Sequence, residues 1–353
     1  MAGSQPKHGL EPGQLSQRDG VQGATIMIAR AAITTAIGVC LGLLGVTPGQ
    51  AATVLKLGNV HTAGLVVQQG LQRFADLVKE RTGGAVEVQI FPASQLGTEQ
   101  EILEGVKLGT VHMFEGSTGA VGRFLPQLEA FAHPYVWRDT DHMLKVVRGE
   151  IGQELAQKLL AQHGMRILDM GWLFGHRHLT TRGKPVRTPD DMRGLKIRVQ
   201  PTAIYLETIK AMGGSPTPVD FNELYTSLQT GVVDGQENPP SVIVSAKFFE
   251  VQKYISLTGH ITQQQTVLIG EDAFQSLTPD QQKVLQQAAV EAGDYQNKLL
   301  EQDEAASLEK LKAGGMQVVE PDLAAFRAAT ANVHKAFDAK WGEGFFDRLQ
   351  AIR

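Results

Sequence analysis

After its first fifty residues the chain exchanges β-patterned and helix-patterned segments at short, regular intervals, and that exchange most restricts its fold. Val54–Val60 is a short run of β character. Leu71, Phe74, Leu77 and Val78 then recur at helical spacing, and Gly83-Gly84 ends that helix. Val86–Phe91 alternates apolar and polar residues, as a half-buried strand does. Thr98 and Glu101 stand at capping-box spacing and open a helix carrying Ile102, Leu103 and Val106, with a strand expected at Val111–Phe114. The pattern restarts at Met165–Leu168 and at Leu195–Val199, with a capped helix start expected at Thr188-Pro189-Asp190-Asp191. Thr278-Pro279-Asp280-Gln281 begins a long helical stretch reaching about Lys312. Strands and helices of these lengths imply parallel βαβ units, an α/β fold, and a length of 353 residues implies two lobes.

The N-terminus reads as a leader. Residues 1–26 are polar, Arg30 precedes the apolar run Ala31–Val46, and Pro48 breaks it before a small-x-small cleavage pattern at Gly49-Gln50-Ala51. A membrane-spanning helix needs about 20 apolar residues, so the run is short for an anchor. Met27 is an alternative start that would give the leader ordinary proportions. The only cysteine, Cys40, lies inside the run, and Val39 before it is too large for a lipidation site. A secreted chain from about Ala52 onward, without cysteine, fits the bacterial periplasm.

Chemistry is scarce. With a net charge of −4 the chain lacks the basic footprint of a nucleic-acid binder. It contains no G-x-x-x-x-G-K-S/T, G-x-G-x-x-G or G-x-S-x-G segment, so no phosphate loop, dinucleotide fold or nucleophile elbow is expected. His176 and His178 would share one face of a strand, but no third ligand completes a metal set. No carboxylate pair sits where general acid–base work would place it. No catalytic residue, metal or cofactor is expected.

Arg177 and Arg198 differ from the other basic residues because both fall on β-patterned segments. Arg198 lies between Ile197 and Val199 and so points to the opposite face from both. A guanidinium there needs an anion, either a ligand carboxylate held by two parallel hydrogen bonds or a structural Asp or Glu.

The stretch from Arg177 to Pro239 goes further. R-x-L-T-T-R-G-K-P-V-R-T-P-D-D-M-R-G-L-K-I-R-V, followed by G-G-S-P-T-P-V-D-F-N-E-L-Y-T-S-L-Q-T-G-V-V-D-G-Q-E-N-P, closely resembles the DctP-type extracytoplasmic solute-binding proteins of TRAP transporters. Phe91–Gly97 and Lys247–Tyr254 match the same family, and the similarity runs from about Val54 to the C-terminus. The resemblance implies a two-lobed clamp with a long helix spanning both lobes, capturing an organic acid for ion-gradient-driven membrane subunits, one small and one large. It implies lobe 1 at residues 52–174 plus about 264–303, lobe 2 at 175–263 plus about 304–353, and a signal region at 1–51. It assigns the carboxylate-binding arginine to Arg198, a second ligand arginine to Arg177, a carboxylate-binding amide to Asn238 and a packing aromatic to Phe221.

The opposite wall should select the rest of the ligand. The family's polar positions there fall at Asn59–His61, at Thr98–Glu101, which includes Glu99, and at Glu115–Ser117. The sialic-acid branch carries Asn where this chain has Val60 and Glu near Ser117, which argues against sialic acid. His61 and Glu115 suit hydroxyl groups, and Glu115 disfavours a second carboxylate unless one partner is protonated. The expected ligand is therefore a hydroxylated monocarboxylate such as a hexuronate or aldonate, with a C4-dicarboxylate as the alternative. Glu115 as a helix cap, His61 as loop packing, and Trp172 and Phe174 as core or hinge remain open at this level. So does a periplasmic enzyme or sensor partner built on the same fold.

Overall fold

Two strands of 17 residues each, β4 (Met165–Thr181) and β8 (Tyr254–Gly270), run antiparallel through the middle of one nine-stranded sheet. The computed structural model describes residues 51–353, so the leader reading, with Met27 and Cys40, falls outside the described residues. The sheet order is β2 (Val86–Phe91), β1 (Thr53–Gly58), β3 (Met113–Ser117), β8, β4, β7 (Gly235–Asn238), β5 (Lys196–Val199), β6 (Ser215–Pro218), with β9 (Gln317–Val319) against β8. Parallel pairing holds at each end, β1 with β2 and β3, and β5 with β6 and β7. The joins through β8 and β4 are antiparallel, so the sheet is mixed and not wholly parallel.

This is a two-lobed α/β clamp, each lobe built on one end of the sheet. Alternation along the strands sends neighbours to opposite faces. Met113 and Phe114 accordingly enter different apolar clusters, one with Leu57, Phe74 and Trp172, the other with Phe131, Leu173 and Ile197. The helix Pro279–Ala313, 35 residues long, packs on β4 and on the helix Val66–Arg81. Its Thr278–Gln281 capping box is formed as expected.

β4 crosses from one lobe to the other with register shifts against β8, one of them between Leu173 and Gly175. Gly175 has φ +120°, and a Cβ there would fall 2.7 Å from Glu304 Oε1, so a side chain is excluded on both counts. His176 next to it donates its amide to Glu304 Oε1 at 2.7 Å, tying the crossing strand to the long helix. The Thr188 capping box forms, but it opens only the single 3₁₀ turn Pro189–Met192. Gly194 (φ +77°) reverses the chain and β5 begins at Lys196, leaving no room for a longer helix.

Candidate functional site

A narrow cavity lies between the two ends of the sheet. Val60 and His61 after β1, Thr98 and Glu99 at the start of the helix Glu99–Leu108, and Arg123 line it from one side. Arg198 of β5, the turn Gln200–Thr202, Asp220, Phe221 and Asn238 line it from the other. Arg198 and Asn238 stand near the ends of β5 and β7, where a strand side chain can face the gap while its neighbours remain in the core.

Arg198 is 1% exposed. Its Nε donates to the Val219 carbonyl at 2.8 Å, Nη1 is buried with no partner among the described residues, and Phe221 lies 6.0 Å from the guanidinium. Burial, with the charge of Arg177 nearby, lowers its pKa to about 10, so it is a cation at neutral pH. Asn238 shares the wall and donates through Nδ2 to Gln236 Oε1 at 2.5 Å.

Arg177 is placed differently. It is fully buried and absent from the cavity wall. Its Nε and Nη2 grip the Glu237 carboxylate at 2.5 and 2.7 Å, Nη2 also reaches the Glu237 carbonyl, and Nη1 donates to Gln263. Of the two anions open to it from the sequence, a ligand or a structural acid, Arg177 has taken the acid. Burial alone would raise Glu237, but the charge and hydrogen bonds of Arg177 outweigh it and hold the carboxyl at about 2. Glu237 also meets His260 Nε2 at 3.2 Å.

On the facing wall, His61 is buried, and that burial, helped by Arg177, lowers its pKa to about 3. It is neutral, its Nε2 meets Gln265 Nε2 at 3.0 Å, and its ring lies 4.6 Å from Phe174. Glu99 lines the cavity and accepts the Ser117 amide at 3.2 Å, and burial raises its pKa. Glu115 departs from the expectation that it faces the ligand. It is fully buried outside the cavity wall, 3.7 Å from His61 Nε2, with neither oxygen hydrogen-bonded. Burial, with Glu99 beside it, pushes its pKa well up, and the polar groups that do line the cavity on and opposite this wall include Glu99 and Asp220.

Phe174 lines the cavity, whereas Trp172 donates to the Ala289 carbonyl at 3.0 Å within the core. His176 pairs with Glu304, and His178 Nδ1 accepts the Gly259 amide at 3.0 Å. Among the described residues no group of three or more His, Cys, Asp or Glu could hold a metal ion. Sequence reasoning missed Glu237, although strand alternation within Gly235–Asn238 puts it on the face opposite Gln236 and Asn238. It also missed Arg123, Gln200, Thr202 and Asp220, which no motif separates from surface polar residues.

A gap between two α/β lobes, walled by a buried and incompletely paired cation, is suited to holding a small anionic solute. Residues 57–340 match the family model of bacterial extracellular solute-binding proteins, family 7, the DctP type. A sialic acid-binding periplasmic protein of Vibrio cholerae is 35% identical over 302 residues, covering 86% of this chain and 94% of that protein. A 2,3-diketo-L-gulonate-binding periplasmic protein of Escherichia coli is 37% identical over 262 residues, covering 74% and 79%. The crystal structure of a TRAP periplasmic solute-binding protein from Polaromonas, bound to D-erythronate, superposes with a TM-score of 0.81 at 37% identity, covering 85% of this chain and 99% of that one. The chain belongs to this family of TRAP-type solute-binding proteins, and it is a binding protein, not an enzyme.

Proposed function

We propose that this chain is a periplasmic receptor that captures a hydroxylated monocarboxylate, a hexuronate or aldonate, and delivers it to the small and large membrane subunits of a TRAP transporter. The observation that carries this reading is the buried Nη1 of Arg198, unpartnered on the cavity wall. A carboxylate seated there accepts from the guanidinium, with Asn238 and the Phe221 ring beside it. Glu99 and Asp220 on the same cavity disfavour a second carboxylate and accept from hydroxyls. The aldonate and keto acid bound by the relatives above support the same class. Arg177 serves in this reading as a positioning residue, holding β4 to β7 behind Arg198.

The lobes exchange near Gly175 and Gln263, with the carboxylate held on the Arg198 wall and the hydroxyls met from both walls, by Glu99 on one and Asp220 on the other. Ligand binding then favours closure by its differential affinity for the closed state. Residues 1–51 serve as the export signal.

Thermal shift of residues 52–353 tests this against D-erythronate, L-galactonate, D-galacturonate, succinate, sialic acid and neutral sugars. A ligand at about a thousand times its Kd stabilises by about 4 kcal/mol, a clear rise in Tm. A rise with the sugar acids alone is expected. A rise with succinate alone overturns the monocarboxylate assignment, and a rise with neutral sugars alone overturns the role of Arg198.

A further inference from the structure

Thr202 occupies the N-cap of the helix Ala203–Ala211. A threonine there ordinarily turns its hydroxyl to accept an amide of the first turn. The backbone is suitably extended (φ −131°, ψ 149°), yet the side chain makes no capping bond. Its Oγ1 is instead buried without a partner, in a residue 6% exposed that lines the cavity. Two residues earlier, Gln200 Oε1 is in the same condition on the same wall. Buried polar atoms in native folds are nearly always satisfied, so two neighbouring exceptions facing one cavity mark a place where an occupant supplies the bonds.

The segment carrying them is held from across the gap. Arg123 Nη2 donates to the carbonyl of Pro201, the residue between the two, at 2.8 Å, and its Nη1 donates to Gln100 Oε1 at 2.5 Å. One guanidinium thus joins the turn Gln200–Thr202 to the first turn of the helix Glu99–Leu108, and all of these residues line the cavity. Neither Gln200 nor Thr202 is ionisable. An acceptor beside a donor–acceptor matches a hydroxyl, which does both, whereas an apolar tail would leave both atoms unpaired.

We infer that Gln200 and Thr202, held in position by Arg123, form a subsite for hydroxyl groups on the ligand's tail. The inference deepens the reading of the cavity as a sugar-acid site and rests on it.

The test titrates the wild type, Thr202→Val, Thr202→Ser and Gln200→Ala with D-erythronate, L-galactonate and D-galacturonate by calorimetry. The Tm of each ligand-free variant is measured alongside. Thr202→Val is expected to weaken the acids that bind by about three- to tenfold, as loss of one hydrogen bond does. Thr202→Ser should stay within about twofold of the wild type, because it restores the hydroxyl. The ligand-free Tm of Thr202→Val should be unchanged or raised, since the hydroxyl has no partner within the protein. Gln200→Ala supplies a second reading of the same subsite and is expected to weaken the same acids. Undiminished affinity in both Thr202→Val and Gln200→Ala overturns the subsite. So does a loss in Thr202→Val that tracks a fall in ligand-free Tm and is not rescued by serine. If acids bind and need Arg198 but ignore Thr202 and Gln200, only this inference fails. If the wild type binds none of the three, the sugar-acid reading fails with it.

Discussion

Replacing Arg198 with alanine should move stability and affinity in opposite directions. In the unliganded protein the Arg198 guanidinium is buried, its pKa is lowered to about 10, and its only hydrogen bond goes to the Val219 carbonyl. Nη1 is left without a partner, so the fold carries the desolvation cost of a cation without a matching anion. Truncation removes that cost and leaves a void in a cavity already open to water, so ligand-free Tm should stay level or rise. In the proposed complex with an acid, the same guanidinium would make two charge-assisted hydrogen bonds, each worth about 1.5–3 kcal/mol. Loss of both would cost about 3–6 kcal/mol, or roughly a hundredfold to more than ten-thousandfold in Kd. Arg198→Lys keeps the charge but not the planar fork and should recover only part of it. The assay is thermal shift with and without a binding acid, backed by calorimetry. A variant that melts markedly lower when ligand-free, yet keeps its ligand-induced rise, would refute the reasoning, because Arg198 would then be structural.

The opposite pattern is expected one strand away. Glu237→Ala strands the buried Arg177 cation, which should cost about 3–5 kcal/mol in chemical denaturation of the ligand-free protein. Because the Glu237 carboxyl is held at about 2 against an ordinary 4.5, its contribution is complete above pH 4.5 and fades as pH falls toward 2; Glu237→Gln should lose that pH dependence. Glu129 behaves in the reverse sense, its pKa raised by burial to about 7 against the opposing charge of Lys340. The fold holds a proton there that the unfolded chain releases, so stability declines as pH rises from 4.5 to 7; Glu129→Gln should raise Tm at pH 8 and leave it unchanged at pH 4. Gly119 lies where a Cβ would fall 3.1 Å from the Tyr205 ring, so Gly119→Val should wedge the 117–123 segment from the 200–205 segment and weaken every ligand alike. Weakening of only some ligands would show instead that Gly119 takes part in selection.

Elements whose signals are local were readable in the chain. Val86–Phe91 forms the strand its alternation implies, and the Thr98 and Thr278 caps open helices where their spacing places them. β4 was readable in two pieces, at its start Met165–Leu168 and around Arg177, but not as one strand, because it bulges past β8 and turns at Gly175 (φ +120°), which destroys simple alternation between them. Arg198 was readable for a similar reason, as a guanidinium flanked by Ile197 and Val199 must leave their face. Arg177 was not separable from it, since its partner Glu237 lies 60 residues away and meets it through the β4–β7 register, which pairs Leu179 with Glu237. The depth of Glu115 was equally hidden. Whether an acid in a strand faces a cavity or the space behind it depends on which strand becomes its neighbour, here β8.

The two arginines explain each other. Glu237 is fully ionised at neutral pH and committed to Arg177 by two hydrogen bonds, so it cannot also neutralise Arg198. His61 across the gap is held neutral by its burial, and Glu115 behind it has its pKa pushed well up and lies outside the cavity wall, so neither is placed to pair with Arg198. Were Glu237 to rotate toward Arg198, Arg177 would be left buried and bare, a costlier arrangement because it has no contact with the cavity and its water. Of the two buried arginines, the incompletely paired one is therefore the one on the cavity wall, where a solute can reach it. An entering carboxylate pairs with that charge without displacing any internal partner. Hydroxyls on the same solute are then met from Glu99 across the gap as well as from the Arg198 wall, so the full set of bonds forms only when the walls stand as close as they do here.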